Sequence, residues 1–224
     1  MQNLVLYQAM HFWALRRRFA VALKPNAPIL PRAAAVMVAA ASLPQLWRSH
    51  APVMECAGFD HSAFAARVNG GSDSVRSVWQ AQLYPYPLWQ YECRLLTAPE
   101  EVLRFDYAGF PENVGRRTVL NTIRRGVCDA VIIWVDWELD AVSRVSTGLD
   151  CWSGGYATGG GSGDAGSGGC GGGGPWKMNH YKQMVRFLPQ PERLDPGSGR
   201  KVVVEAVFDA RKFDLKIKAH IKAS

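Results

Sequence analysis

A mainly β fold, a barrel or sandwich of short strands behind one N-terminal helix, is what this sequence predicts. Three observations carry that expectation. From Pro25 onward the chain breaks into short apolar runs separated by Pro, Gly, Asn and Asp, the spacing of many short strands. Val202, Val204 and Ala206 alternate with Val203, Glu205 and Val207, and Phe213, Leu215, Ile217 and Ala219 alternate with Asp214, Lys216, Lys218 and His220, the two-residue period of a half-buried strand. Only the first segment, with Leu4, Tyr7, Met10, Ala14, Leu15 and Phe19, follows a helical period without Pro or Gly.

Taken in order, the helix is expected over residues 2–22, stopping before Lys24-Pro25. Strands are expected over 28–31, 33–42, 53–56, 93–97, 102–107, 117–124, 128–139, 183–188, 201–208 and 213–220. A helical stretch over about 60–68, with Asp60 as its N-cap, and irregular chain to about 90 interrupt the series. The segment Gly154 to Gly174 holds thirteen glycines in twenty-one residues. It has too little apolar surface to offset its ordering entropy, so a flexible loop over 153–175 is expected. A phosphate cradle would need a preceding strand, a following helix and a Lys-Ser/Thr pair, and none is there.

Composition narrows the classes. Hydrophobic residues are 48% and charged residues 20% of the 224 residues, a globular balance. The longest apolar run, Ala33 to Ala41, is far short of the roughly 20 residues of a spanning helix, so no membrane role is expected. Arg16-Arg17-Arg18 follows the first apolar stretch instead of preceding it, the reverse of a secretory signal. The cysteines at 56, 93, 128, 151 and 170 form no C-x-x-C pair, which fits neither a zinc site nor a disulfide framework. Reduced thiols in a cytoplasmic and nuclear protein are expected. The net charge of +7 admits nucleic acid as a partner, and seven Lys or Arg against three acids between Arg200 and Lys222 favour it. Only Phe208 and Phe213 are available there for base stacking, so it is not the expected partner.

Three stretches carry more than composition: Gly58-Phe59-Asp60-His61-Ser62, then Ala130 to Asp140 (AVIIWVDWELD) followed by Val145-Ser146-Thr147-Gly148, then Pro175 to Phe187 (PWKMNHYKQMVRF). Singly they read as a loop into a helix, a buried strand with core tryptophans, and a structural histidine. In order, they resemble the barrel half of the protein arginine methyltransferases, and within that family the second, C-terminal module of the type III branch. Asn3-Leu4, His11-Phe12-Trp13, Leu46-Trp47, Pro87 to Arg94 and Leu103 to Asp106 add to the resemblance.

The resemblance implies an arginine-methyltransferase-type β-barrel over 24–224, with a dimerisation-arm-like insertion over 60–92. Residues 1–23 would be a helix left from the junction with a Rossmann-like domain. It implies S-adenosylmethionine as the donor, methylation of arginine in proteins such as histones, and partnership with a Rossmann-like methyltransferase half or second module. One functional loop carries over. The family's threonine-histidine-tryptophan loop corresponds to Asn179-His180-Tyr181, the expected substrate-pocket residues, with threonine and tryptophan replaced. The family's glycine loop for the donor and its glutamate pair for the guanidinium have no counterpart; Glu100-Glu101 are expected to begin a strand or turn. The isolated chain is therefore expected to bind no donor and to be inactive, with a non-catalytic scaffold as the alternative reading.

Overall fold

The computed structural model describes residues 5–24, 27–50, 55–63, 83–109, 112–148, 176–177 and 181–222. In chain order these form α1 (Val5–Arg18), β1 (Ala33–Ser42), α2 (Pro44–His50), β2 (Glu55–Cys56), β3 (Phe59–Asp60), β4 (Tyr84–Tyr86), β5 (Arg94–Leu95) and β6 (Glu100–Asp106). There follow β7 (Val114–Leu120), β8 (Gly126–Glu138), β9 (Arg144–Ser146), β10 (Trp176–Lys177), β11 (Gln183–Leu194), β12 (Lys201–Asp209) and β13 (Asp214–Lys222). The chain is mainly β, as expected.

Strand pairing centres on β1 and β8, antiparallel from Ala33↔Glu138 to Ala41↔Ala130. β1 also pairs with β6 and β5, and β8 with β9 and β11. The result is an eight-stranded sheet beside a three-stranded sheet ordered β13-β12-β7. Because successive side chains point to opposite faces, Val36 and Val38 of β1 meet Val131, Ile133 and Val135 of β8 in one core. Ala39 and Ala41 meet Ala130, Ile132 and Trp134 in a second core on the other face. Both strands are therefore buried on two faces, which explains their nearly continuous apolar runs. The first core is closed by the inward face of β12 and β13, including Val202, Val204, Phe208 and Ile217.

The expected barrel is corrected in one respect. Among the described residues the ladder does not close into a ring. The two larger sheets curl around the shared core, and an isolated bridge, Thr97↔Thr122, lies on one side. On the other side the Arg186 guanidinium, rather than a backbone amide, donates to the Ile217 carbonyl at 2.6 Å.

Three element expectations also change. Residues 28–31 pair with no strand, because Pro28 and Pro31 lack the amide that a ladder needs; pairing begins when Arg32 N–H donates to the Glu138 carbonyl. β11 runs on to Leu194, crossing Pro189 and Pro191 by a register shift between Phe187 and Glu192. α2, which strand periodicity did not suggest, starts with Pro44 in the first turn, where its missing N–H costs nothing, and seats Leu46 against the second core. The helix expected over 60–68 and the loop over 153–175 lie mostly or wholly outside the described residues. At the start of the former, Ser62 N–H donates to Asp60 Oδ1 at 2.8 Å, as a cap would require.

α1 covers one pole of this assembly. Trp13 is 4% exposed, its ring 5.4 Å from Phe105 and 5.9 Å from Phe208, and its Nε1 donates to the Gly109 carbonyl at 3.1 Å. Tyr107 Oη donates to the Ala9 carbonyl at 2.9 Å. Arg16 fastens the last turn to the carbonyls of Ala108 and Gly109. Replacing Trp13→Ala removes the central ring of this contact and should cost about 3–5 kcal/mol of stability. Urea unfolding checks it: the midpoint should fall, and an unchanged midpoint would mean that α1 does not cap the core.

Candidate functional site

The second and third of the stretches singled out in the sequence meet near the pole that α1 covers, where β8 ends and β11 begins, whereas Gly58 to Ser62 spans the β2–β3 hairpin and its end. After β8 the chain turns back into β9, and Thr147 locks that return. Its Oγ1 accepts from Val135 N–H at 3.0 Å and donates to the Val135 carbonyl at 2.9 Å, while its own N–H donates to the same carbonyl at 3.0 Å. Ser146 Oγ donates to Asp136 Oδ1 and accepts from Gly148 N–H at 3.1 Å. A Cβ on Gly148 would lie 2.8 Å from the Trp134 indole nitrogen, so the third residue of Ser-Thr-Gly has to be glycine for the ring to stay where it is.

Gln183 ties this turn to the predicted site loop. It is 1% exposed, and its Nε2 donates to the Thr147 carbonyl and to the Tyr181 carbonyl, each at 2.7 Å. Its Oε1 accepts from Leu88 N–H at 3.3 Å. One amide thus joins the residue after β9, the chain just before β11, and the 3-10 turn Leu88–Gln90. Of the three predicted site residues, Tyr181 is half-buried against the main core, whereas Asn179 and His180 lie outside the described residues. Trp137 stacks on Tyr107, 6.3 Å between ring centres, so the tryptophans of the second stretch serve packing, as their bland reading had it.

A carboxylate cluster borders the junction on the face of β8 that carries Trp134. Glu138 is held by Arg104 through paired hydrogen bonds, one of 3.0 Å, with Arg144 at 3.1 Å and Arg32 at 3.9 Å. The Arg104 hydrogen bonds hold its carboxyl below the usual range, and the same contact raises Arg104. Burial pushes Asp136 up, against the hydrogen bonds it accepts from Ser146 and Trp134. Glu100 and Glu101 open β6, as expected; Glu101 faces Arg104 at 3.5 Å and Arg116 at 3.9 Å. Its carboxylate is occupied by the chain's own guanidinium groups rather than presented to an incoming one.

The described residues do not supply a donor site of the Rossmann type. Such a site needs a strand, a glycine loop and a helix within a parallel unit. β1 leads through Leu43 directly into α2 and pairs antiparallel with every neighbour. No group of three or more His, Cys, Asp or Glu among the described residues could hold a metal. Cys56 and Cys128 are free thiols, and burial pushes Cys128 up to about 12, leaving it protonated and inert. Sequence reasoning had quoted Gln183 only as part of a motif and missed its role. The signal was a polar residue at the start of an apolar strand, where burial demands partners.

No family model matches the chain. It is 36% identical over 149 residues to protein arginine N-methyltransferase 7 of Danio rerio, covering 66% of this chain and 21% of that protein. The Xenopus laevis protein of the same name is 33% identical over the same share of each. The chain thus spans about a fifth of the length of the curated relatives it matches. Among solved structures it is similar to the Trypanosoma brucei PRMT1 enzyme-prozyme heterotetrameric complex with AdoHcy. The TM-score is 0.52 at 15% identity, over 87% of this chain and 52% of that one, a likeness of fold.

Two outcomes test the junction. Gln183→Leu strands two carbonyls and an amide in a buried place, about 1–3 kcal/mol for each unsatisfied group; amide exchange should quicken at Leu88 and around Thr147, and unchanged protection would refute the tie. Glu138→Gln should cost about 2 kcal/mol at neutral pH. The folded carboxyl titrates below its unfolded value, so its contribution is present above the unfolded pKa of about 4.3 and is lost as pH falls through the folded one. The difference between variant and parent in urea melts should therefore shrink on acidification; a constant or growing gap would contradict the assignment.

Proposed function

The chain belongs to the protein arginine methyltransferase family, and we propose that it is the substrate-side β module of an S-adenosylmethionine-dependent protein-arginine N-methyltransferase. On this reading it methylates nothing alone. A Rossmann-like half or second module supplies the donor and the carboxylates that hold the guanidinium, and this module supplies one wall of the groove for arginine in proteins such as histones. Asn179, His180 and Tyr181 form that wall, and the protein works in the cytoplasm and nucleus.

The observation that carries the reading is the Gln183 junction, which fixes the residue next to His180 to the Ser146-Thr147-Gly148 turn. A loop whose side chains must face a substrate gains from such anchoring, because positioning is most of what a methyl transfer between two bound groups requires. The docking of a donor-binding module is supported by exposed apolar side chains beside the same pole. Phe19 is 54% and Val21 98% exposed, with Leu15 and Leu23 also open to solvent. An uncovered apolar cluster of this kind favours a covering partner.

A second reading, a non-catalytic scaffold that docks on a methyltransferase, is favoured by the Asn179-His180-Tyr181 triplet, in which the family's threonine and tryptophan are absent. Titration calorimetry separates the two. The purified chain is titrated with S-adenosylmethionine, alone and after addition of a separately expressed donor-binding module. Heat only in the mixture, together with methyl transfer to a histone peptide that His180→Ala reduces, is expected. Binding by the chain alone would defeat the missing-donor-site reading. A mixture that binds donor but transfers no better than the added module alone would select the scaffold.

A further inference from the structure

The pole opposite α1 has the reverse character, and we infer that it is a docking surface for an acidic polypeptide segment. Five chain segments meet there. The residues after β7 fold against the chain that follows β5, with Ile123 N–H and Arg124 N–H both donating to the Leu96 carbonyl, at 2.8 and 3.2 Å. Arg94 Nη2 donates to the Arg125 carbonyl at 2.7 Å, which joins β5 to the same turn. The end of β11 lies alongside the start of β8, with Arg193 opposite Val127. The start of β12 and the end of β13 complete the rim, Lys201 opposite Lys222.

Every cation on this rim is exposed: Arg94, Arg124, Arg125 and Arg193, then Arg200, Lys201 and Lys222. Among the described residues, two carboxylates pair with them. Asp195 lies between Arg125 and Arg193, and Glu192 is 3.5 Å from Arg200. The seven cations of the rim thus exceed the carboxylates paired with them by five. Arg124 and Lys201 form no ion pair among the described residues. A local excess of one sign, unneeded for folding, recruits the opposite sign and speeds encounter.

The chemistry of the rim chooses between kinds of polyanion. Five of the seven cations are arginine, whose planar fork pairs with carboxylate or phosphate. Between them stand Ile123 and Val127, each 46% exposed, and the rim segments just described carry no aromatic side chain on which a base could stack. Single-stranded nucleic acid binding draws on such stacking. Aliphatic side chains set among guanidinium groups instead suit a segment that mixes Asp or Glu with Leu or Val. This surface is independent of the methyltransferase reading, since it lies at the far end from Tyr181.

Fluorescence anisotropy on the full chain tests the inference, with a labelled peptide of alternating Glu and Leu pairs and a labelled single-stranded oligonucleotide of equal charge as probes. The peptide should bind the more tightly, and added salt should weaken it. The double variant R124E/K201E should lose about tenfold in peptide affinity. R211E/K212E makes the same change in net charge on the β12–β13 turn at the other pole and should lose less than about twofold. Circular dichroism of both variants confirms that they fold. Equal losses in the two variants, tighter binding of the oligonucleotide, or no peptide binding by the parent chain would each overturn the assignment.

Discussion

The antiparallel pairing of β1 with β8 is the constraint on which the rest of the molecule depends. Each strand is buried on both faces and hydrogen-bonded on both edges over most of its length, so its register cannot slip without moving two cores at once. The alanines of β1 follow from this. With β8 and β6 on either side and packed layers above and below, only small side chains let α2 and the 3-10 turn at Leu88 approach one face while Trp13 and Phe105 fill the space beyond the other. A larger residue at Ala39 or Ala41 would push on the second core, which is lined by rings of Trp47, Tyr84, Tyr86 and Phe187.

That register also decides what the two poles are. Because β8 runs from Gly126 to Glu138, its beginning and end lie at opposite ends of the fold, and each end collects the turns of the strands paired with it. The Glu138 end gathers α1, the Thr147 turn and Tyr181, all joined by apolar packing and hydrogen bonds to backbone. The Gly126 end gathers arginines on separate turns. Strand connectivity thus brings residues that are far apart in the sequence together at each end.

Much of this was legible before the structure because period-two alternation survives wherever one face is wet. β12 and β13 match their expected spans closely for that reason, and Trp134 was rightly read as core. What escaped the sequence was set by non-local contact. α2 is too short for a helical period to show in Pro44 to His50; its burial depends on Leu88 and β1, far away in the chain. The end of β11 was hidden by Pro189 and Pro191, which argue against a strand unless a register shift absorbs them. Closure of the barrel was expected from strand number, but closure depends on edge geometry, and at the β11–β13 edge a guanidinium replaces the ladder. Tyr181 was expected at the site from its loop, while Gln183 became visible only when three backbone groups from distant segments were seen to converge on it.

The form of that convergence bears on how the loop's departures from its family should be read. Gln183 contacts the Thr147 carbonyl, the Tyr181 carbonyl and the Leu88 amide, all of them main-chain groups. Hydrogen bonds to main chain leave the choice of side chains at the neighbouring positions unconstrained by the junction itself. Tyr181 itself packs against the main core, so its aromatic side chain serves the fold as well as any groove wall that the proposed function assigns to it.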